Sequence, residues 1–225
     1  MGNRHQVEEL QIELRHTYPR IPNNPRHRKA RKFLERWSGE RLLDVGCGSG
    51  DFSAPLVSLG WRCHGIEIDQ KAIEEAASRG IQVRRASLLD RFPYEDTFFD
   101  VVLAGEVIEH TIDDLAFLGE CHRVLRPDGL LILTTPNLVS LGNRMLMLLG
   151  RMPRFAHHAC HYRMYNARVL TEKMVRTGFK LTRLDSDYIL VSTYFSKTIG
   201  RVGEWLPGVL PVTWGERLIA YATRQ

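Results

Sequence analysis

The sequence is poor in cysteine and pairs none of it. Cys47, Cys63, Cys121 and Cys160 are scattered through 225 residues without a CxxC, which argues against a disulfide framework and a four-thiolate zinc site and predicts reduced thiols. No apolar run approaches the roughly 18–20 residues of a membrane-crossing helix. The opening MGNRHQVEELQIEL is too polar for a secretory signal, so the expected location is cytoplasmic. Internal repeats and low-complexity tracts are absent as well. A formal net charge of +5 permits an anionic partner without requiring one. What remains is a chain with 44% hydrophobic residues, enough for one well-buried domain and too short for two ordinary ones.

Much of the positive charge is local. In NNPRHRKARKFLERW six basic side chains face one glutamate, while Ala30, Phe33, Leu34 and Trp37 fall at helical spacing behind Asn24 and Pro25. The spacing predicts an amphipathic helix with a solvated basic face, nucleic-acid contact being the competing reading. Before it, Val7, Leu10 and Leu14 mark another helix.

From Arg41 onward short apolar runs alternate with helical patterns. LLDV, RCHGIEI, IQVRRA, DVVLA and LLILTT read as strands, with helices at 51–59, 70–79 and 113–126 between them. The pattern predicts an α/β fold with a parallel sheet covered on both faces. Asp113 and Asp114 in the first turn of the last helix, and His122, Arg123 and Arg126 in its last, suit the helix dipole. Beyond Thr135, PNLVSLGNRMLMLLGRMPRF is a methionine-rich apolar helix candidate. A helix at 167–177 and strands at 179–185 and 217–222 follow, and 188–214 is dense in aromatic and aliphatic residues.

RLLDVGCGSGDFS carries the strongest chemical signal. A strand ends at Asp44-Val45, and Gly46, Gly48 and Gly50 then let a ligand approach the backbone, where turn amides and a helix start near Asp51 favour a negative group. Glu67, at the end of the next strand, is placed to accept hydrogen bonds from ribose hydroxyls. Dinucleotide sites favour GxGxxG, whereas the spacing here is GxGxG. An aspartate just before the first glycine suits a ligand's ammonium group, so a cofactor with an amino acid end and a ribose end is implied.

GEVIEH, after the apolar run 101–104, brings Glu106, Glu109 and His110 within one turn. That cluster suits a metal, a cofactor contact, a proton acceptor or a helix cap. HYRMYN, 161–166, adds His161, Arg163 and Tyr165. HHACH just before it has spacing too short for a zinc site on its own.

With these segments in view, the sequence resembles the class I S-adenosylmethionine (SAM) dependent methyltransferases from about Leu42 to Phe179. LLDVGCGSG is similar to the first motif of that family, GIEID to the second, YEDTFFDVV and GEVIEH to the segment around the fourth strand, and HRVLRPDGLLILTTPN to the fifth-strand unit. The resemblance implies a Rossmann-like seven-stranded sheet, six strands parallel and one antiparallel, with helices on both faces. It divides the chain into an N-terminal helical cap at 1–39, a cofactor-binding core at 40–137, and a substrate-side lid with C-terminal strands at 138–225.

Carried onto this sequence, the resemblance puts Asp44, Gly46, Cys47, Gly48 and Gly50 around the methionine part of SAM and Glu67 on the ribose. Ile68 and Asp69 flank the adenine, and Gly105 and Glu106 lie beside the cofactor. Ser87 stands where relatives carry an aspartate for the adenine amino group, so that contact falls to Ser87, the Leu88 backbone or Asp90. For an acceptor that must lose a proton, His110, His161 and Tyr165 are the candidate bases, with His157 and His158 further back.

A Glu-x-x-Glu-His segment is similar to that of quinone-biosynthesis O-methyltransferases and of small-RNA 3′-terminal 2′-O-methyltransferases. Glu106, Glu109, His110 and His161 are then candidate ligands of a divalent ion, which is left open. The expected acceptor is a small or lipid-linked hydroxyl compound, with peripheral membrane contact open and oligomeric state undetermined. RNA is the alternative acceptor, and a non-catalytic SAM- or nucleotide-binding protein the alternative outside enzymes.

Overall fold

The computed structural model describes residues 25–156, 160–187 and 211–225. The expected helix around Val7, Leu10 and Leu14, His157 and His158, and most of the aromatic segment 188–214 lie outside them. Among the described residues no helix is long and apolar enough to cross a membrane.

After α1 (Pro25–Leu34), the chain alternates β1 (Arg41–Val45), α2 (Ala54–Val57), β2 (Arg62–Glu67), α3 (Gln70–Ser78) and β3 (Gln82–Arg85). Then come β4 (Phe99–Gly105), a 3₁₀ turn (Ile108–His110), α4 (Asp114–Val124) and β5 (Leu125–Pro136). The final group is α5 (Leu141–Leu148), α6 (Ala167–Arg176), β6 (Phe179–Ser186), a 3₁₀ turn (Val212–Trp214) and β7 (Arg217–Arg224). The strands form one sheet in the order β3-β2-β1-β4-β5-β7-β6. β7 runs antiparallel to both β5 and β6, as the family resemblance implies, and the other pairings are parallel.

Alternation along the central strands divides the core into two layers. Leu43, Val45, Val102, Ala104, Leu131, Leu133, Leu218 and Ala220 share one buried cluster with Phe117, Leu118 and Cys121 of α4 and Leu170 and Met174 of α6. Leu42, Val101, Leu103, Leu130, Ile132, Ile219 and Tyr221 face the other way, against Ala30 and Leu34 of α1, Leu56 of α2 and Ala76 of α3. The near-continuous apolar strands thus follow from a sheet buried on both faces.

Three elements differ from expectation. The helix expected at 51–59 is one turn long, with Pro55 in its first turn and Gly60 following in a left-handed conformation. The helix expected at 113–126 starts one residue later because Asp113 is its cap, accepting from the Leu115 and Ala116 N–H groups. It stops at Val124, and Arg126 with Pro127-Asp128-Gly129 joins β5 through a register shift. The methionine-rich helix shrinks to α5, ended by Gly150 at φ +67°.

α1 is less solvated than its charge suggests. Arg26 reaches Glu106 at 3.2 Å, and Lys29 meets Asp185 at 2.7 Å, leaving Arg28, Lys32 and Arg36 exposed. The helix therefore docks through cations onto the carboxyl ends of the strands, which removes two side chains from any nucleic-acid face. His27 between these cations stacks edge-on against Phe52, and burial, then Arg26 and Arg31, lower its pKa to about 4.

Folded His27 stays neutral where the unfolded chain binds a proton. Its contribution is intact above pH 6.5 and is lost as the pH falls toward 4. Denaturant titrations at a series of pH values should show the wild type losing up to about 3 kcal/mol more than His27→Phe across that window. Parallel pH profiles would show that His27 is not the group responsible.

Candidate active site

β1 pairs with β2 on one side and with β4 on the other, so the chain order reverses between β1 and β4. At such a switch point the loops beyond the carboxyl ends of the strands diverge and leave a crevice for a ligand. The glycine loop and GEVIEH are those two loops.

They touch. Gly46 has φ +69°, and a Cβ there would lie 2.6 Å from Val107 Cγ1, so only glycine fits. The loop amides are mostly engaged by the protein. Gly46 and Cys47 donate to the Ile66 carbonyl and Gly50 to that of Cys47, while Gly48 donates to Glu67 Oε2 at 2.9 Å. The expectation that loop amides and a helix start would attract a negative group is therefore corrected: α2 is too short, and the amides serve the loop's own shape.

Glu67 is 2% exposed and accepts from the Ile68 and Asp69 N–H groups as well as that of Gly48. Its carboxylate thus ties the glycine loop to the end of β2. Asp44 is buried and accepts from the Ser53 hydroxyl. Asp69 caps α3, accepting from the Lys71 N–H at 3.0 Å. Ser87 Oγ accepts from the Leu89 N–H at 3.3 Å, and Leu88 Cδ1 lies 3.8 Å from where a Gly46 Cβ would stand. The predicted cofactor residues of four loops therefore meet at one place. The cradle at Gly46 and the acceptor-only Glu67 carboxylate beside it fit SAM, whose methionine end needs close backbone approach and whose ribose brings hydroxyl donors.

The GEVIEH carboxylates have opposite environments. Glu106 takes φ +57°, uncommon for a residue with a Cβ, and three side chains hold it there. Arg217 Nε donates to it at 2.8 Å, Arg26 Nη1 stands at 3.2 Å, and Thr134 Oγ1 donates at 3.1 Å. Burial opposes its charge, but the two arginines and these hydrogen bonds outweigh it and hold the carboxyl below its usual range. Glu109 Oε2 accepts from the Thr135 hydroxyl at 3.1 Å, and its Oε1 is buried without a hydrogen-bond partner. Burial, then the charge of Glu106, push its pKa well above the ordinary value.

His110 and His161 come together, their rings 4.8 Å apart and edge to face. His110 Nδ1 lies 3.0 Å from the Cys160 carbonyl, and His161 Nδ1 lies 3.1 Å from that of Phe155. A carbonyl only accepts, so each Nδ1 carries a proton, and in the neutral ring the lone pair is at Nε2. Ligand atoms of Glu109, His110 and His161 all lie within 4.8 Å of one another. Glu106, the fourth candidate ligand, is turned to the arginines instead.

Tyr165 does not join them. It is 1% exposed and donates to Asp114 Oδ2 at 2.9 Å, and burial, then that hydrogen bond and the Asp114 charge, raise its pKa far above the ordinary phenol. A phenol so held is a packing residue, not a base. Cys160 is a buried thiol whose carbonyl orients His110, and among the described residues it joins no metal-ligating group. Sequence reasoning missed Arg217 and Arg26, which set the charge of Glu106. The available signal was a lone cation opening the apolar strand RLIAYA.

A sheet of this order with a glycine loop and a buried carboxylate at its switch point defines the class I SAM-dependent methyltransferase architecture. A family model described as "Methyltransferase domain" matches residues 12–184, and the chain belongs to that family. It is 38% identical over 130 residues to a ubiquinone biosynthesis O-methyltransferase of Bradyrhizobium sp. (strain ORS 278), a match covering 55% of this chain and 51% of that one. It is also 38% identical over 113 residues to the mitochondrial ubiquinone biosynthesis O-methyltransferase of Bos taurus, covering 46% and 30%. The chain spans about half the length, or less, of these curated relatives. Among solved structures, a SAM-dependent methyltransferase of Thermotoga maritima, described as a possible histamine N-methyltransferase, superposes with a TM-score of 0.69 at 20% identity, covering 98% of this chain and 99% of that one. At that identity the likeness concerns the fold.

Two substitutions separate cofactor from packing roles. Glu67→Ala should weaken SAM binding about 10- to 100-fold in calorimetry, the range expected for hydrogen bonds to a charged acceptor. Unchanged affinity would remove Glu67 from the cofactor site. Tyr165→Phe should cost about 1–2 kcal/mol in denaturant unfolding while leaving methyl transfer nearly unchanged, because Lys173 still pairs Asp114 at 2.8 Å. A collapse of turnover in the folded variant would restore Tyr165 as a base.

Proposed function

We propose that this protein transfers a methyl group from SAM to a hydroxyl of a small or lipid-linked acceptor. The observation that carries this reading is the pair of imidazoles, each with Nδ1 on a backbone carbonyl and Nε2 as its basic atom. Displacement at a sulfonium methyl demands alignment and exclusion of water more than activation. Only an acceptor that must shed a proton needs a base, so two oriented imidazoles beside the cofactor loop suit a hydroxyl better than an amine. The O-methyltransferase names of the curated relatives support the same choice.

In this reading Glu67 holds the ribose, the glycine loop receives the methionine end, and His161 or His110 takes the hydroxyl proton at Nε2. Arg217 and Arg26 keep Glu106 from the acceptor side. The donor set of one carboxylate and two imidazoles, with a buried Glu109 oxygen lacking a partner, also fits a divalent ion held by Glu109, His110 and His161. Such an ion, when bound, lowers the pKa of a coordinated hydroxyl. RNA is the less favoured acceptor, because Arg26 and Lys29 of the basic run are engaged with acidic partners inside the fold.

His161→Ala should keep SAM affinity within about a factor of two, yet slow single-turnover methylation of a catechol by about 100-fold, the lower range for loss of a general base. Loss of SAM binding without unfolding would overturn the acceptor-side role. Full activity after exhaustive chelation would remove the metal while leaving the base.

A further inference from the structure

α5 is built inside out. Its buried residue is Asn143, whose Nδ2 donates to the Asn137 carbonyl and whose Oδ1 accepts from the Arg154 N–H, while its methionines and terminal leucines face outward. Of the nine exposed large hydrophobic residues among those described, five fall between Met145 and Met152. Leu148 is 81% exposed, Leu149 70% and Met152 66%. The reading of this segment as a packed lid does not account for them, since a lid buries such residues. A helix anchored by polar groups beneath and apolar on top is arranged to enter an apolar phase.

Charge identifies the phase. From Gly129 to Thr171 the sequence has five arginines and no aspartate or glutamate. Arg154 is paired with Glu216 at 3.0 Å, and Arg168 with Glu172 at 2.8 Å. Arg144 and Arg151 stand exposed beside the leucines and methionines, with Arg144 Nε donating to the Val139 carbonyl. An apolar turn flanked by exposed cations, in a stretch of sequence without acids, matches a bilayer bearing anionic lipid better than a neutral protein face.

We propose that the turn from Met145 to Met152 docks this protein on an anionic lipid surface. The turn leads directly to the site: Pro153 is buried, and two residues later the Phe155 carbonyl receives His161 Nδ1. A lipid-linked acceptor leaving the bilayer at this turn meets the histidine pair. Docking itself does not depend on the acceptor, so a failed methylation assay leaves it standing, and the converse holds.

Flotation of the full chain with vesicles tests this. The protein should float with phosphatidylcholine vesicles containing phosphatidylglycerol and not with phosphatidylcholine alone, and added salt should weaken the association. The double variant Leu148→Ser, Leu149→Ser should partition about tenfold less, through the apolar area withdrawn, with SAM affinity and thermal midpoint unchanged. Arg151→Glu should also weaken flotation. No flotation with anionic vesicles, or equal flotation of the double variant, overturns the proposal. So does a dimer abolished by the double variant without vesicle binding, which would assign the patch to a second copy of the chain.

Discussion

The arrangement at the carboxyl edge of the sheet depends on one half-buried cation. Arg217, first residue of the antiparallel β7, is clamped between Glu106 at 2.8 Å and Asp187 at 3.2 Å, and its guanidinium lies 5.3 Å from the centre of the Phe155 ring. Desolvation alone would favour its neutral form, yet Glu106 and Asp187 hold it charged and raise its pKa further. Removing one partner from a fully buried network costs about 3–5 kcal/mol, an upper bound for this partly buried one, because the others keep an uncompensated charge. Arg217 therefore fixes the loop after β4, the end of β6 and the start of β7 relative to one another. Arg26 adds α1 to the same carboxylate.

The site inherits its electrostatics from that clamp. Glu106 stays ionised, and its charge is the second cause, after burial, of the raised pKa of Glu109. Phe155, against Arg217, supplies the carbonyl that sets the His161 ring. One ion pair thus reaches both members of the candidate acceptor side without touching either imidazole. Two glutamates three residues apart are shifted in opposite directions, Glu106 down by two arginines and Glu109 up by burial and the charge of Glu106, the usual way an environment divides the roles of paired carboxylates.

The sheet was legible because its cause is local: runs such as VVLA and LLIL belong to strands buried on both faces, and glycines at 46, 48 and 50, all at positive φ, mark a turn that a Cβ would block at 46 and 50. The cofactor loop could be located for the same reason. What could not be read was which polar groups the fold would satisfy internally. Asp44 looks like a ligand carboxylate in the sequence, yet it accepts a hydrogen bond from the Ser53 hydroxyl of its own chain. Tyr165 looked like a base, and only its pairing with Asp114, 51 residues away, shows it as packing. Helix lengths failed where the stop was a backbone event, as at Gly60 and Gly150, both in left-handed conformations.

Fold and acceptor chemistry are carried by different parts of the chain. β1, β2 and the glycine loop form the portion that a SAM-binding sheet needs, whatever its substrate. His161 stands outside the sheet, on the segment between α5 and α6, and reaches His110 because the Tyr162 N–H donates to the Glu109 carbonyl at 2.9 Å. That bond, with the Arg163 N–H on the same carbonyl at 3.4 Å and His110 Nδ1 on the Cys160 carbonyl, stitches the connector onto the turn after β4 and brings the two histidines together. A relative could keep the glycine loop and Glu67, change the residues between 138 and 165, and lose the proposed base together with the outward apolar turn. Acceptor choice in this protein is therefore to be sought in that connector, where the imidazole and the exposed leucines share one short stretch of backbone.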